Sequence, residues 1–273
     1  MYFVAAAVAR LSAVARDRLL NAAGIPHELL CVPHARVTAE SFAALWLAVA
    51  RELDDEFFGL DSRRMKVGSF ALLCHAVMNS QNLDRAVKQL LRGMALFLDD
   101  VSGELRLEDQ EAVISITNRI SDAPARRFAD EAFLVMVHGL MCWLAGKRIP
   151  LSLAEFAYPK PPYAQEYTVM YSQHMRFGAQ STAVRFDARL LSAPVVQTPA
   201  TLKQFLRTAP QSGVPQVQER GQLDRATATS ASRQHRRTGL AGAGRRRTGV
   251  PRGSHDAAPA AHLRGHELPG YQG

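Results

Sequence analysis

Two histidines sit inside apolar, helix-forming runs, His75 in SFALLCHAVM and His138 in FLVMVHGLMCWL. Neither has a second histidine or a carboxylate at i+3 or i+4, the spacing that would place two metal ligands on one helix face. Each therefore reads either as a hydrogen-bonded core residue or as a polar group facing a bound ligand. The acidic pairs Asp54-Asp55 and Asp99-Asp100 fall where helical patterns stop, and read as solvated helix ends rather than as paired catalytic carboxylates. No G-x-S-x-G elbow, phosphate-binding loop, H-E-x-x-H or calcium loop occurs in the chain. Gly239, Gly242 and Gly244 are closely spaced but follow no strand, so they do not form a dinucleotide loop. No nucleophile–base or metal constellation is legible, and the chain is not expected to be an enzyme or to carry a cofactor or a metal.

The elements that would hold such residues follow from hydrophobic period. A first helix is expected over residues 3–23, ended by Gly24 and Pro26. Thr38 is a candidate N-cap for a helix from Ala39 to Leu53, which places Phe42, Leu45, Trp46 and Val49 on one face. Val67–Leu98 reads as a helical hairpin, Ser69–Met78 and Leu83–Leu98 about the polar turn Asn79–Asn82. Leu105–Leu107 and Val113–Thr117 alternate at period two, the signature of a β-hairpin. The longest helix is expected from Arg127 to Lys147, followed by strands at Leu153–Tyr158 and Val184–Ala188 and a last helix at Pro199–Ala209 with proline in its first turn. Helices and strands are segregated, without βαβ alternation, which predicts an α+β fold: a helix-rich domain with a small antiparallel sheet, followed by a disordered basic tail.

Composition divides the chain in the same place. It has 273 residues, 47% hydrophobic and 21% charged, with a net charge of +8. Gln211–Gly273 holds ten arginines and no lysine against four acidic residues, a surplus of +6, which leaves +2 for Met1–Pro210. The basic character belongs to the tail and argues little about nucleic-acid binding by the globular part. The tail also holds ten of the 18 glycines and only seven Leu and Val, too few for a core. Arg245–Arg247 and Arg236-Arg237 could grip phosphates without sequence preference, and no aromatic residue interleaves them for base stacking. Cys31, Cys74 and Cys142 are far apart and lie among apolar residues, which reads as buried, reduced thiols in a cytoplasmic protein. No apolar run approaches the roughly 18 residues of a membrane span. Arg10, Arg16 and Arg18 mark the N-terminus as an amphipathic helix rather than a signal peptide.

The stretch His174–Pro194, HMRFGAQSTAVRFDARLLSAP, carries a resemblance. Val184, Phe186 and Ala188 alternate with Arg185, Asp187 and Arg189, and Leu190–Pro194 is a tight exit from a sheet. With the Gly68-led helix, Asp84–Val87 and Leu90–Arg92, this pattern resembles the effector-sensing N-terminal domain of AraC/XylS-type transcription regulators, the arabinose-binding group. The resemblance covers about residues 11–209. It implies a sensing and dimerisation domain at residues 1–195, a linker helix at 196–210, and a small-molecule effector held in an apolar pocket between the sheet and the Val67–Leu98 hairpin. His75, Arg92 and His138 are the side chains expected to orient that effector. It also implies pairing of two copies, and promoter DNA as partner where a helix-turn-helix output domain is intact. No such motif is legible in residues 211–273, whose Arg/Ala/Gly/Pro/His bias resembles a GC-rich frame translated out of phase. A frameshift near Ala209–Val217 is the expected cause. The other reading is a stand-alone small-molecule binding module with a natural basic tail.

Overall fold

The computed structural model describes residues 1–32 and 35–208. The basic tail and its arginine clusters lie outside them. The described residues form eight α-helices and one five-stranded sheet in strand order β1-β2-β5-β3-β4, an α+β arrangement.

The N-terminal region is two helices, α1 (Tyr2–Ala7) and α2 (Ala13–Ala22), not one. Ser12 accounts for the break: its side chain accepts a hydrogen bond from the Ala15 amide at 3.3 Å and caps α2, competing with a continuous helix. In α3 (Ala39–Leu53) the expected Thr38 cap accepts from the Ser41 amide at 3.1 Å. The chain then turns through Asp54, a left-handed residue at φ 48°. The helical hairpin is α4 (Ser69–Met78) and α5 (Leu83–Phe97), with Asn82 capping the second.

The strands β1 (Val101–Glu108) and β2 (Glu111–Asn118) pair antiparallel around a two-residue turn, where Asp109 takes φ 53°. Asp122 does not merely end this hairpin. It caps α6 (Ala123–Leu144), accepting from the Ala125 amide at 3.0 Å, and Pro124 occupies the first turn where no amide partner is needed. The long helix therefore starts four residues earlier than its apolar period suggests. It is buried on nearly every side and forms the centre of the core.

After β3 (Leu153–Phe156), a single turn and the short α7 (Tyr167–Met170) lead to β4 (Met175–Phe177). The sheet is not purely antiparallel, because β4 pairs parallel to β3, with Ala154 opposite Met175 and Phe156 opposite Phe177. The connection between them is long enough to return the chain to the same end of the sheet, as parallel pairing requires. β5 (Thr182–Asp187) lies between β2 and β3, antiparallel to both. The chain leaves β5 through a short helical turn, Ala188–Ser192, and the Val196 amide donates to the Leu144 carbonyl at 3.0 Å. This leads into α8 (Pro199–Thr208).

Candidate functional site

Between the sheet and the second helix of the hairpin, β1 lies directly on α5. β1 packs on α5 so closely that a Cβ on Gly103 would come within 2.8 Å of Leu91 and 2.9 Å of Phe133. An open cavity of about 250 Å³ lies elsewhere, among α3, the start of α4, α6 and α8.

Its walls follow from helical period. On α3, Trp46 with Ala50 and Leu47 with Arg51 are i, i+4 pairs that share a face. On α6, Val135 with Gly139 and Met136 with Leu140 do the same, and Gly139 supplies no side chain to fill the space. Val67, Gly68, Phe70 and Ala71 bring the N-terminal end of α4, and Phe205 and Leu206 bring α8. The lining is apolar except at Arg51 and Glu56.

Glu56 is engaged in holding the site together. Its two carboxylate oxygens accept from the backbone amides of Gly68 at 2.9 Å and Phe70 at 2.7 Å, satisfying donors that the first turn of α4 leaves free. Burial pushes its pKa up, and the two amide bonds hold it down. The preceding Asp55 is buried, not a solvated helix end. It accepts from the amides of Phe57 at 2.8 Å, Gly59 at 3.1 Å and Met65 at 3.3 Å, tying residues 55–65 into a fixed loop. The Asp99-Asp100 pair accords with a turn at a helix end, its amides donating to Asp61 at 2.8 Å each.

The three residues expected to orient an effector are not gathered at the cavity. His75 is exposed on α4, and Arg92 is exposed on α5. His138 is buried in α6, where its Nε2 donates to the Ile149 carbonyl at 2.8 Å. Burial pushes the His138 pKa down to about 4, so the ring is neutral at neutral pH. Cys142, one turn on, brings its Sγ to 3.5 Å from the same nitrogen. Cys74 and Cys142 are buried free thiols, but Cys31 is exposed at the end of a short helical turn that packs Leu30, not Cys31, against the core. Among the described residues there is no grouping of three or more His, Cys, Asp or Glu that could hold a metal ion, and no helix long and apolar enough to cross a membrane.

A second polar constellation, not legible from sequence spacing, surrounds Glu131 on α6. Its carboxyl is fully buried and accepts from the hydroxyls of Tyr167 and, at 3.4 Å, Tyr158. Its other oxygen has no hydrogen-bond partner among the described residues. Burial raises its pKa to about 8, so it is mostly protonated at neutral pH. Arg127, one turn earlier, lays its guanidinium 5.2 Å from the ring centre of Tyr2 and 5.9 Å from that of Tyr158. The neighbouring Asp130 accepts from Thr182 at 2.5 Å and Asn118 at 2.8 Å, fastening α6 to β5 and β2. With the Glu131 and Asp130 carboxyls buried, this cluster suits a structural role. The signal that could have exposed it is the pair Asp130-Glu131 one turn after Arg126-Arg127, at the start of a long, largely apolar helix.

Residues 14–195 match a family model described as the arabinose-binding domain of AraC transcription regulator, N-terminal. The ornithine utilization regulator of Pseudomonas aeruginosa is 26% identical over 192 residues, covering 70% of this chain and 57% of that protein. The chain thus spans 57% of the length of this curated relative. A solved structure, the transcriptional regulator CdpR from Pseudomonas aeruginosa, aligns over 71% of this chain and 62% of that one, at 14% identity and a TM-score of 0.38.

Proposed function

The chain belongs to the family of arabinose-binding N-terminal domains of AraC transcription regulators, and on that premise we propose that it senses a small-molecule effector through the cavity among α3, α4, α6 and α8. The observation that carries the proposal is that Phe205 and Leu206, on the helix through which the chain leaves the domain, form part of the cavity wall. An occupant would touch the element that must report its presence. The apolar lining, with two charged residues, fits a small organic molecule bound mainly by burial. The effector contacts pass from His75, Arg92 and His138 to the cavity residues. Pairing of two copies and a frameshift near Ala209–Val217 that removed the output domain belong to the same proposal, as does the loss of sequence-specific DNA binding by this chain.

The test is a thermal-shift screen of the full chain against small organic molecules, repeated on Ala71→Phe, which fills the cavity from a partly exposed position on α4. Compounds that stabilise the wild type should lose their effect on the variant. Leu47→Phe serves as a second filler should the first not fold. Compounds that stabilise wild type and variants alike would place the effector elsewhere.

A further inference from the structure

This inference rests on the cavity being the effector site and concerns the chemistry of its occupant. Acid and base are matched around the corner where α3 ends. Arg18 pairs with Glu52 at 2.7 Å, Arg64 with Asp54 at 3.7 Å, and Arg63 with Asp99 at 3.4 Å. Asp55 and Glu56 are taken up by backbone amides. Lys66 and Arg51 remain, neither in an ion pair among the described residues. Of the two, Arg51 lines the cavity, and it makes no side-chain hydrogen bond among them.

We infer that the ligand of this cavity is an apolar organic acid with an aromatic body, its carboxylate held by Arg51 at the mouth. A guanidinium presents paired N–H donors that match a carboxylate, and such charge-assisted bonds are the strong ones. The walls supply the other half of the match, since Trp46, Phe70 and Phe205 all face the space, and aromatic rings favour an aromatic guest. Size is consistent as well. An engineered cavity of about 150 Å³ takes one benzene, so one of about 250 Å³ accommodates on the order of ten non-hydrogen atoms. That is a single ring with a short acidic arm. Glu56, whose oxygens are already bonded, offers a weaker claim on a cationic head group.

The test uses three probes that share one body, 3-phenylpropanoate, 3-phenylpropan-1-ol and 3-phenylpropan-1-amine, titrated calorimetrically into the full chain, Arg51→Gln and Ala71→Phe. Arg51 is exposed and unpaired, so its replacement leaves the fold intact. The acid should bind the wild type roughly tenfold to a hundredfold more tightly than the alcohol. Arg51→Gln should abolish that preference without weakening the alcohol, and Ala71→Phe should weaken both. Equal binding of acid and alcohol, a preference that survives Arg51→Gln, or tightest binding of the amine would overturn the acid assignment while leaving the cavity as the site. Binding of no probe, or binding indifferent to Ala71→Phe, would overturn the cavity reading and this inference with it.

Discussion

The ring of Phe205 on α8 lies stacked on that of Trp143 at the end of α6, centroids 4.5 Å apart and planes inclined by 20°. Together with buried Leu202 and the amide of Gln197, which donates to the Trp143 carbonyl, this contact fastens the last described helix to the core. On the proposed reading, it is the contact that joins the cavity wall to α8. Phe205→Ala should therefore free α8 locally. Burying a Phe in a core is worth roughly 3 kcal/mol, enough to raise the population of a detached helix about a hundredfold. Trypsin cleavage after Lys203 and Arg207 should accelerate accordingly, with a much smaller change in the melting temperature of the core. Unchanged cleavage would mean that α8 is held by something other than this ring.

Glu131 should make stability depend on pH in a particular direction. Its pKa is raised to about 8 in the folded chain against an ordinary value near 4.5. Between those values the folded state retains a proton that the unfolded state releases, so stability falls as pH rises through the window. The slope is at most about 1.4 kcal/mol per pH unit. His138, lowered to about 4 from 6.5, acts oppositely, its contribution being lost as pH falls from 6.5 towards 4. The two overlap below pH 6.5, so the clean window for Glu131 lies between about 6.5 and 8. Glu131→Gln keeps an uncharged acceptor for Tyr167, and its stability relative to the wild type should climb across that window. Denaturant midpoints measured at several pH values would show it, and a constant difference between the two proteins would contradict it.

Asp55 should prove more important than its place in an acidic pair suggests. Asp55→Asn exchanges a carboxylate bonded to three amides for a group with one acceptor oxygen, which costs about 1–3 kcal/mol. The same change should weaken ligand binding, because Glu56 is the next residue and ties α4 to the cavity. Wild-type stability in the variant, read from urea unfolding, would show that the loop is held by its phenylalanines alone.

The ten arginines beyond Pro210 should give the full chain weak DNA binding that ignores sequence and falls steeply with salt. A fragment ending at Pro210 should lose it. Binding to one DNA sequence that persists at physiological salt would reveal an output module within residues 211–273.

Much of the framework is legible in the sequence where local chemistry agrees with tertiary packing. Thr38 and the polar Asn79–Asn82 turn announce α3, α4 and α5, and period-two alternation announces β1, β2 and β5. The failures have physical causes. Ser12 interrupts an alanine-rich helical pattern by capping from within, and Asp122-Ala123-Pro124 looks like a strand end while serving as a helix start. The parallel pairing of β4 depends on a connection whose path no local pattern specifies. The cavity is less legible still. Arg51, Gly139 and Phe205 come from distant parts of the chain and meet only because α6 is wrapped by the others. His75 and His138 attracted notice as polar residues in apolar helices, but a period cannot tell an outward face from a satisfied core position.

Hydrogen exchange of the full chain, with and without a compound retained by the cavity, tests the central claim most directly. Effector sensing through α8 predicts that binding slows exchange in the cavity helices and, together with them, at residues 202–207. A compound that binds and protects α3 and α6 while leaving α8 unchanged would contradict it.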